Sequence, residues 1–203
     1  MRLTVLFMVI LLFSSSAMAA QKRIVVLGDS LTAGYGLQSG EDFVTKLQEA
    51  MVADGNDVKI DNAGVSGDTT AGGRARLDWA IQGEPAPSLI IVALGGNDML
   101  RGIDPEETRE NLSAILSVLK AKNIPALLAG MKAPANLGLA YRKSFESVYD
   151  DLAKQYDVAY YPFFLEGVAM KQDLNLADGI HPNTKGIEVM VKNILPIVKK
   201  SLK

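Results

Sequence analysis

The chain has 203 residues, 23 of them acidic and 21 basic, for a formal net charge of −2. That balance provides no basic face for a nucleic acid, and none is expected as a partner. The absence of cysteine excludes disulfides, thiol catalysis, cysteine-ligated zinc and an acylated lipoprotein terminus.

In chain order, Met1-Arg2 gives a positive start and Leu3 to Phe13 an apolar run. Ser14-Ser15-Ser16 then leads to Ala17-Met18-Ala19, a small-x-small cleavage pattern. The run is short for a bilayer span, so residues 1–19 read as a signal peptide cut after Ala19. That reading predicts a periplasmic or secreted protein. Arg2 is the only charged residue removed, which takes the 21 basic residues to 20 against 23 acidic, a formal −3. Residues 20–203 suit a single domain, and a hydrophobic content of 48% provides a core without disulfides.

Ile24 to Leu27, ending at Gly28, has the composition of a buried strand. Asp42 to Ala53 reads as a helix, and Val58 to Asn62 as a second strand before the glycine-rich loop Ala63 to Gly73. Arg74 to Gln82 suits a helix, and Leu89 to Ala93 is the cleanest strand. Pro105 opens a helix in which Leu112, Ile115, Leu116 and Leu119 form an apolar stripe. Ala126 to Ala129 is a fourth strand. Tyr141, Phe145, Val148 and Leu152 mark another helix, and Val158 to Tyr161 a fifth strand. Ile187, Met190, Val191 and Ile194 begin a last helix that Pro196 is expected to end or kink. Continuous apolar strands alternating with helices predict an α/β fold with a parallel sheet covered on both faces.

Such sheets bind ligands beyond the carboxyl ends of their strands. The loops there carry Gly28-Asp29-Ser30, Gly64 to Asp68, Gly95-Gly96-Asn97-Asp98 and, further on, Asp178-Gly179-Ile180-His181. A serine hydroxyl needs a base to take its proton, and His181 is the only histidine. Asp178, three residues earlier across a bent Gly179–Pro182 loop, is spaced to accept from one ring nitrogen and turn the other outward. Taken singly, each residue has a plainer use: Ser30 as a helix or turn cap, Asp178 as a turn residue, His181 as an ordinary surface or core side chain. Ser66 is a rival hydroxyl without a strand to present it. The backbone N–H groups of Ser30 and Gly67 and the Asn97 amide are candidate donors to a developing oxyanion. Neither glycine-rich loop ends in the Gly-Lys-Ser/Thr of a phosphate-binding loop.

Gly28-Asp29-Ser30-Leu31, Gly67, Gly95-Gly96-Asn97-Asp98 and Asp178-Gly179-Ile180-His181-Pro182 together resemble, in order, the blocks of the GDSL or SGNH hydrolases. The match covers residues 23–195, and its longer stretches are similar to the arylesterase, lysophospholipase L1 and acyl-CoA thioesterase I subgroup. Those stretches include Leu27 to Tyr35, Leu94 to Gly102, Ala133 to Asn136 and Tyr161 to Phe164. The resemblance implies a flavodoxin-like three-layer α/β/α sandwich with a five-stranded parallel sheet of order 2-1-3-4-5. It implies Ser30, His181 and Asp178 as the catalytic residues and Ser30, Gly67 and Asn97 as the oxyanion hole, with no metal and no organic cofactor. The Gly-x-Ser-x-Gly elbow of ordinary α/β-hydrolases is absent, since Leu31-Thr32 follows Ser30.

Substrate choice is expected to lie in the flanking loops. Met99, Leu100, Arg101 and Ile103 follow the Asn97 block, and Leu137 follows Ala133 to Asn136. With Phe163 and Phe164 these would line an apolar acyl groove, although core packing explains the two phenylalanines equally well. Arg101 would meet an anionic head group or simply be solvated. Export favours an esterase and lysophospholipase acting on a small ester or lipid, with acyl-CoA thioesterase activity as a side capacity. It is compatible with transient contact with membrane lipid, and the size suits a monomer. A carbohydrate deacetylase and a non-catalytic lipid-binding protein are the alternatives. Sparse aromatics, with Trp79 the single tryptophan, weigh against the first and the complete set of block residues against the second.

Overall fold

The computed structural model describes residues 21–202, so the leader read in residues 1–19 lies outside the described residues. Strand composition and strand position agree. β1 (Lys22–Gly28), β3 (Leu89–Ala93) and β4 (Ala126–Ala129) are buried along almost their whole length. β2 (Val58–Gly64) alternates and β5 (Ala159–Tyr161) is half-buried. The all-parallel sheet has the order β2-β1-β3-β4-β5, so the two less apolar strands take the edges. Strands buried on both faces need unbroken apolar runs, whereas an edge tolerates polar residues.

Eight α-helices occur among the described residues: α1 (Ser30–Ala33), α2 (Phe43–Ala53), α3 (Thr70–Ala75), α4 (Leu77–Ala80), α5 (Gly96–Leu100), α6 (Pro105–Ala121), α7 (Leu139–Tyr156) and α8 (Thr184–Ser201). α2 packs with α8, and α6 with α3 and α7. Right-handed crossovers that run one way from β1 to β2 and the other way from β2 to β3 put these groups on opposite faces of the sheet. In α6 the side chains of Leu112, Ile115, Leu116 and Leu119 are all buried in the core, while Asp104 caps the helix by accepting the Glu106 N–H.

Two expectations are corrected. The helix read over Arg74 to Gln82 is two short ones, and the first begins earlier, at Thr70, capped by Thr69. The glycines that suggest a loop serve close packing instead. A Cβ on Gly73 would stand 2.2 Å from Leu94 Cδ1, so α3 reaches the end of β3 only without a side chain there. Pro196 does not end α8, which runs to Ser201. The carbonyl it leaves without a donor belongs to Lys192, on the exposed side, while the buried stripe continues to Val198. α5, five residues long, carries no sequence period and is new.

Sheet order reverses between β1 and β3, and Ser30 and Asn97 follow these two strands. Such a reversal opens a crevice between loops that turn to opposite faces.

Candidate active site

Ser30 opens α1 directly beyond β1 because Asp29 caps that helix: its Oδ1 accepts the Leu31 N–H at 3.0 Å. Asp29 is only 2% exposed, and burial raises its carboxyl to about 6 despite the Leu31 N–H. Beneath this turn Arg76 ties three segments together. Its guanidinium donates to the carbonyls of Gly28 at 2.9 Å and Ala63 at 2.6 Å, and pairs with the Asp68 carboxylate at 2.6 Å. The ends of β1 and β2 and the following loop are therefore fixed by one side chain.

His181 arrives from a loop held by its own backbone. Asn175 and Pro182 form a bridge, Leu176 N–H donates to the His181 carbonyl at 2.8 Å, and Gly179 N–H to Leu176. Inside the loop Asp178 Oδ1 accepts the N–H groups of Ile180 and His181. Its other oxygen lies 2.7 Å from His181 Nδ1, and His181 Nε2 lies 2.9 Å from Ser30 Oγ. The two N–H bonds, then the ring, lower the Asp178 carboxyl to about 2, so it stays ionised at any ordinary pH. The imidazole thus faces Ser30 rather than Ser66, which is exposed in the turn after β2.

Asn97 lines the same groove as Ser30, and Gly67 lies in the neighbouring turn, one residue before Asp68, whose carbonyl Asn97 binds. Gly67 has φ +85, a conformation that side chains resist, in the turn after β2. Asn97 Nδ2 donates to the Asp68 carbonyl at 2.9 Å and, more loosely, to Asp29 Oδ2 at 3.3 Å. The loop under Asn97 is anchored by fully buried Tyr149, whose hydroxyl donates to the Leu94 carbonyl at 3.0 Å. It is also anchored by Asp98, which accepts from the backbone and side chain of Thr70.

A groove of about 290 Å³ opens beside Ser30 and His181, lined by Met99, Leu100, Met131, Phe163, Leu165, Met170 and Ile180 among others. Of the residues expected to bind substrate, Met99 and Leu100 line it. Arg101, Ile103 and Leu137 do not. The Arg101 guanidinium donates to the Gly67 carbonyl at 2.7 Å, the Ile103 carbonyl accepts from Tyr141, and Leu137 packs on the core. Phe163 lines the groove, whereas Phe164 is buried edge-on against Phe43, with ring centroids 4.9 Å apart. The roles of Asp29, Arg76, Tyr149, Met131, Leu165, Met170 and Ile180 escape sequence reasoning. Only Asp29 and Ile180 carry a signal, their places inside the Gly28–Leu31 and Asp178–Pro182 blocks.

Among the described residues, no cluster of three His, Cys, Asp or Glu side chains could hold a metal ion. None of their helices is long and apolar enough to cross a membrane.

A model of the GDSL-like lipase/acylhydrolase family matches residues 26–189. The chain belongs to this family. Relatives of the GDSL chain include esterase TesA of Pseudomonas aeruginosa, 40% identical over 184 residues, which are 91% of each chain. Thioesterase 1/protease 1/lysophospholipase L1 of Escherichia coli is 38% identical over 95% of this chain and 91% of its own. The crystal structure of AlinE4, an SGNH-hydrolase family esterase, superposes with a TM-score of 0.77 at 47% identity, covering 92% of this chain and 100% of that one. The sheet order expected from the block resemblance is the one found.

Proposed function

We propose that this SGNH carboxylic ester hydrolase uses Ser30 as nucleophile, His181 as base and Asp178 as the carboxylate that orients the base. The unbroken line from Ser30 Oγ through the imidazole to Asp178, at 2.9 and 2.7 Å, carries the reading. As Ser30 Oγ attacks the ester carbonyl, its proton passes to His181 Nε2, and the Asp178 carboxylate steadies the imidazolium. The new oxyanion takes donors from the Ser30 and Gly67 N–H groups and Asn97 Nδ2. The looser bond of Asn97 to Asp29 is the one that exchanges for substrate. Collapse expels the alcohol, which takes the proton from His181. Water then enters by the same route and frees the acid. No step calls for a metal or an organic cofactor.

The apolar groove supports an acyl chain as the part of the substrate that is recognised. We assign small esters and lysophospholipids as the substrates, with thioesters as a side activity, in keeping with the names that TesA and the Escherichia coli relative carry. A sugar-binding deacetylase is disfavoured, because Trp79 borders a different surface beside Arg23 and Gly83. Residues 1–19 are proposed to export the remaining single domain, 20–203, as a periplasmic or secreted monomer.

Hydrolysis of short and medium nitrophenyl esters tests the nucleophile. Ser30→Ala is expected to lose about 10⁴-fold or more in kcat. Equal rates in the two proteins would sink the assignment.

A further inference from the structure

Tyr35 has no part in the chemistry described so far, yet it touches the base. Its ring centroid lies 4.4 Å from that of His181, with the planes tilted by 37°. The contact is set up by the nucleophile's own helix. α1 lasts one turn and ends at Gly34, in the left-handed conformation at φ 83. The chain reverses there, and the Tyr35 N–H donates to the Ser30 carbonyl at 3.2 Å. The residue that bonds back to Ser30 thereby lays its ring on His181. Tyr35 is itself 53% exposed, so its ring is not part of the core.

We propose that Tyr35 is a positioning residue whose ring face holds the His181 imidazole in line between Asp178 and Ser30 and favours its cationic form during proton transfer. This rests on the assignment of His181 as the base.

The polar surroundings leave this role open. Asp178 occupies Nδ1 from the histidine's own loop, and the Ser30 hydroxyl occupies Nε2 from α1. The Asp29 carboxylate, at the N-cap of α1, meets the ring through charge alone, and Lys132 lines the same groove while lying 5.0 Å over the Phe163 ring. Asp178 and the Ser30 hydroxyl hold the imidazole by its edge. Tyr35 meets it toward the face, where a cation gains from the negative potential of an aromatic ring. Tyr35 is not among the residues that line the groove, so its loss should act on turnover more than on substrate binding.

The test uses Tyr35→Leu, which keeps apolar bulk without a π face, and Tyr35→Phe, which keeps the face without the hydroxyl. His181 is the only histidine, so its ring protons can be followed by NMR without ambiguity. Tyr35→Leu should displace these resonances downfield by removing the ring current and should lower kcat about tenfold with KM little changed. It should also move the acid limb of kcat/KM about half a pH unit lower. Tyr35→Phe should restore all three. Unmoved resonances, or an unchanged kcat and acid limb, in Tyr35→Leu would overturn the proposal. So would a Tyr35→Phe as impaired as Tyr35→Leu. If His181→Ala remains active while Tyr35→Leu still displaces the resonances, the error lies in the base assignment, and the proposal falls with it.

Discussion

Ser30 and His181 reach their 2.9 Å contact from opposite kinds of support. The Ser30 turn grows out of a buried strand and is fixed from below by Asp29 and Arg76, whose bonds run to β1, to β2 and to the loop before α3. The His181 loop is exposed and closed on itself by short-range bonds, with the Asp178 carboxylate as its internal cap. One half of the site is therefore part of the folding core, and the other is an accessory to it. Damage to the first should cost stability and activity together, and damage to the second activity alone.

The largest effect should come from the loop side. His181→Ala is expected to lower kcat/KM about 10⁴-fold while changing unfolding free energy by no more than about 0.5 kcal/mol in urea denaturation. A loss above about 2 kcal/mol would show that the loop belongs to the core after all. On the strand side, Arg76→Met strands a carboxylate and two carbonyls. It should cost about 3 kcal/mol, toward the lower end for a buried pair because Arg76 and Asp68 keep some contact with solvent. Activity should fall with it, since the Ser30 and Gly67 turns both hang on this guanidinium. Activity lost without stability would erase the contrast.

Asp29 gives an effect no larger than that of Arg76, and one with a sign in pH. Its carboxyl is raised from 3.8 to about 6 by burial, so the folded state holds that proton more tightly than the unfolded chain does. The resulting stability is fully present below about pH 4 and lost as pH rises through about 6. Unfolding free energy of the wild type relative to Asp29→Asn should therefore fall by at most about 3 kcal/mol across that window and stay flat outside it. A difference curve that rises with pH would refute the burial argument.

Local pattern reveals what local forces determine. The stripe of α6, the buried runs of β1, β3 and β4 and the Asp178-x-x-His181 spacing all depend on residues within a few positions of each other. What stays hidden depends on distant partners. Arg76 is 48 residues from Gly28, and Tyr149 is 55 from Leu94. Gly73 looks like a loop residue until Leu94 is set against it. Phe163 and Phe164 are adjacent and equally apolar, yet one faces the groove and the other Phe43, a choice made by the chain's direction after β5. The groove itself draws Met131, Leu165 and Met170 from loops that carry no motif.

Covalent capture of the nucleophile tests the account most directly. An alkyl fluorophosphonate should add one phosphonyl group per chain, and peptide mass analysis should find it on Ser30, with no labelling of Ser30→Ala. The rate of labelling should collapse in His181→Ala, because the hydroxyl then has no base. Label on Ser66 or any other serine, or undiminished labelling of Ser30→Ala, would contradict the central claim.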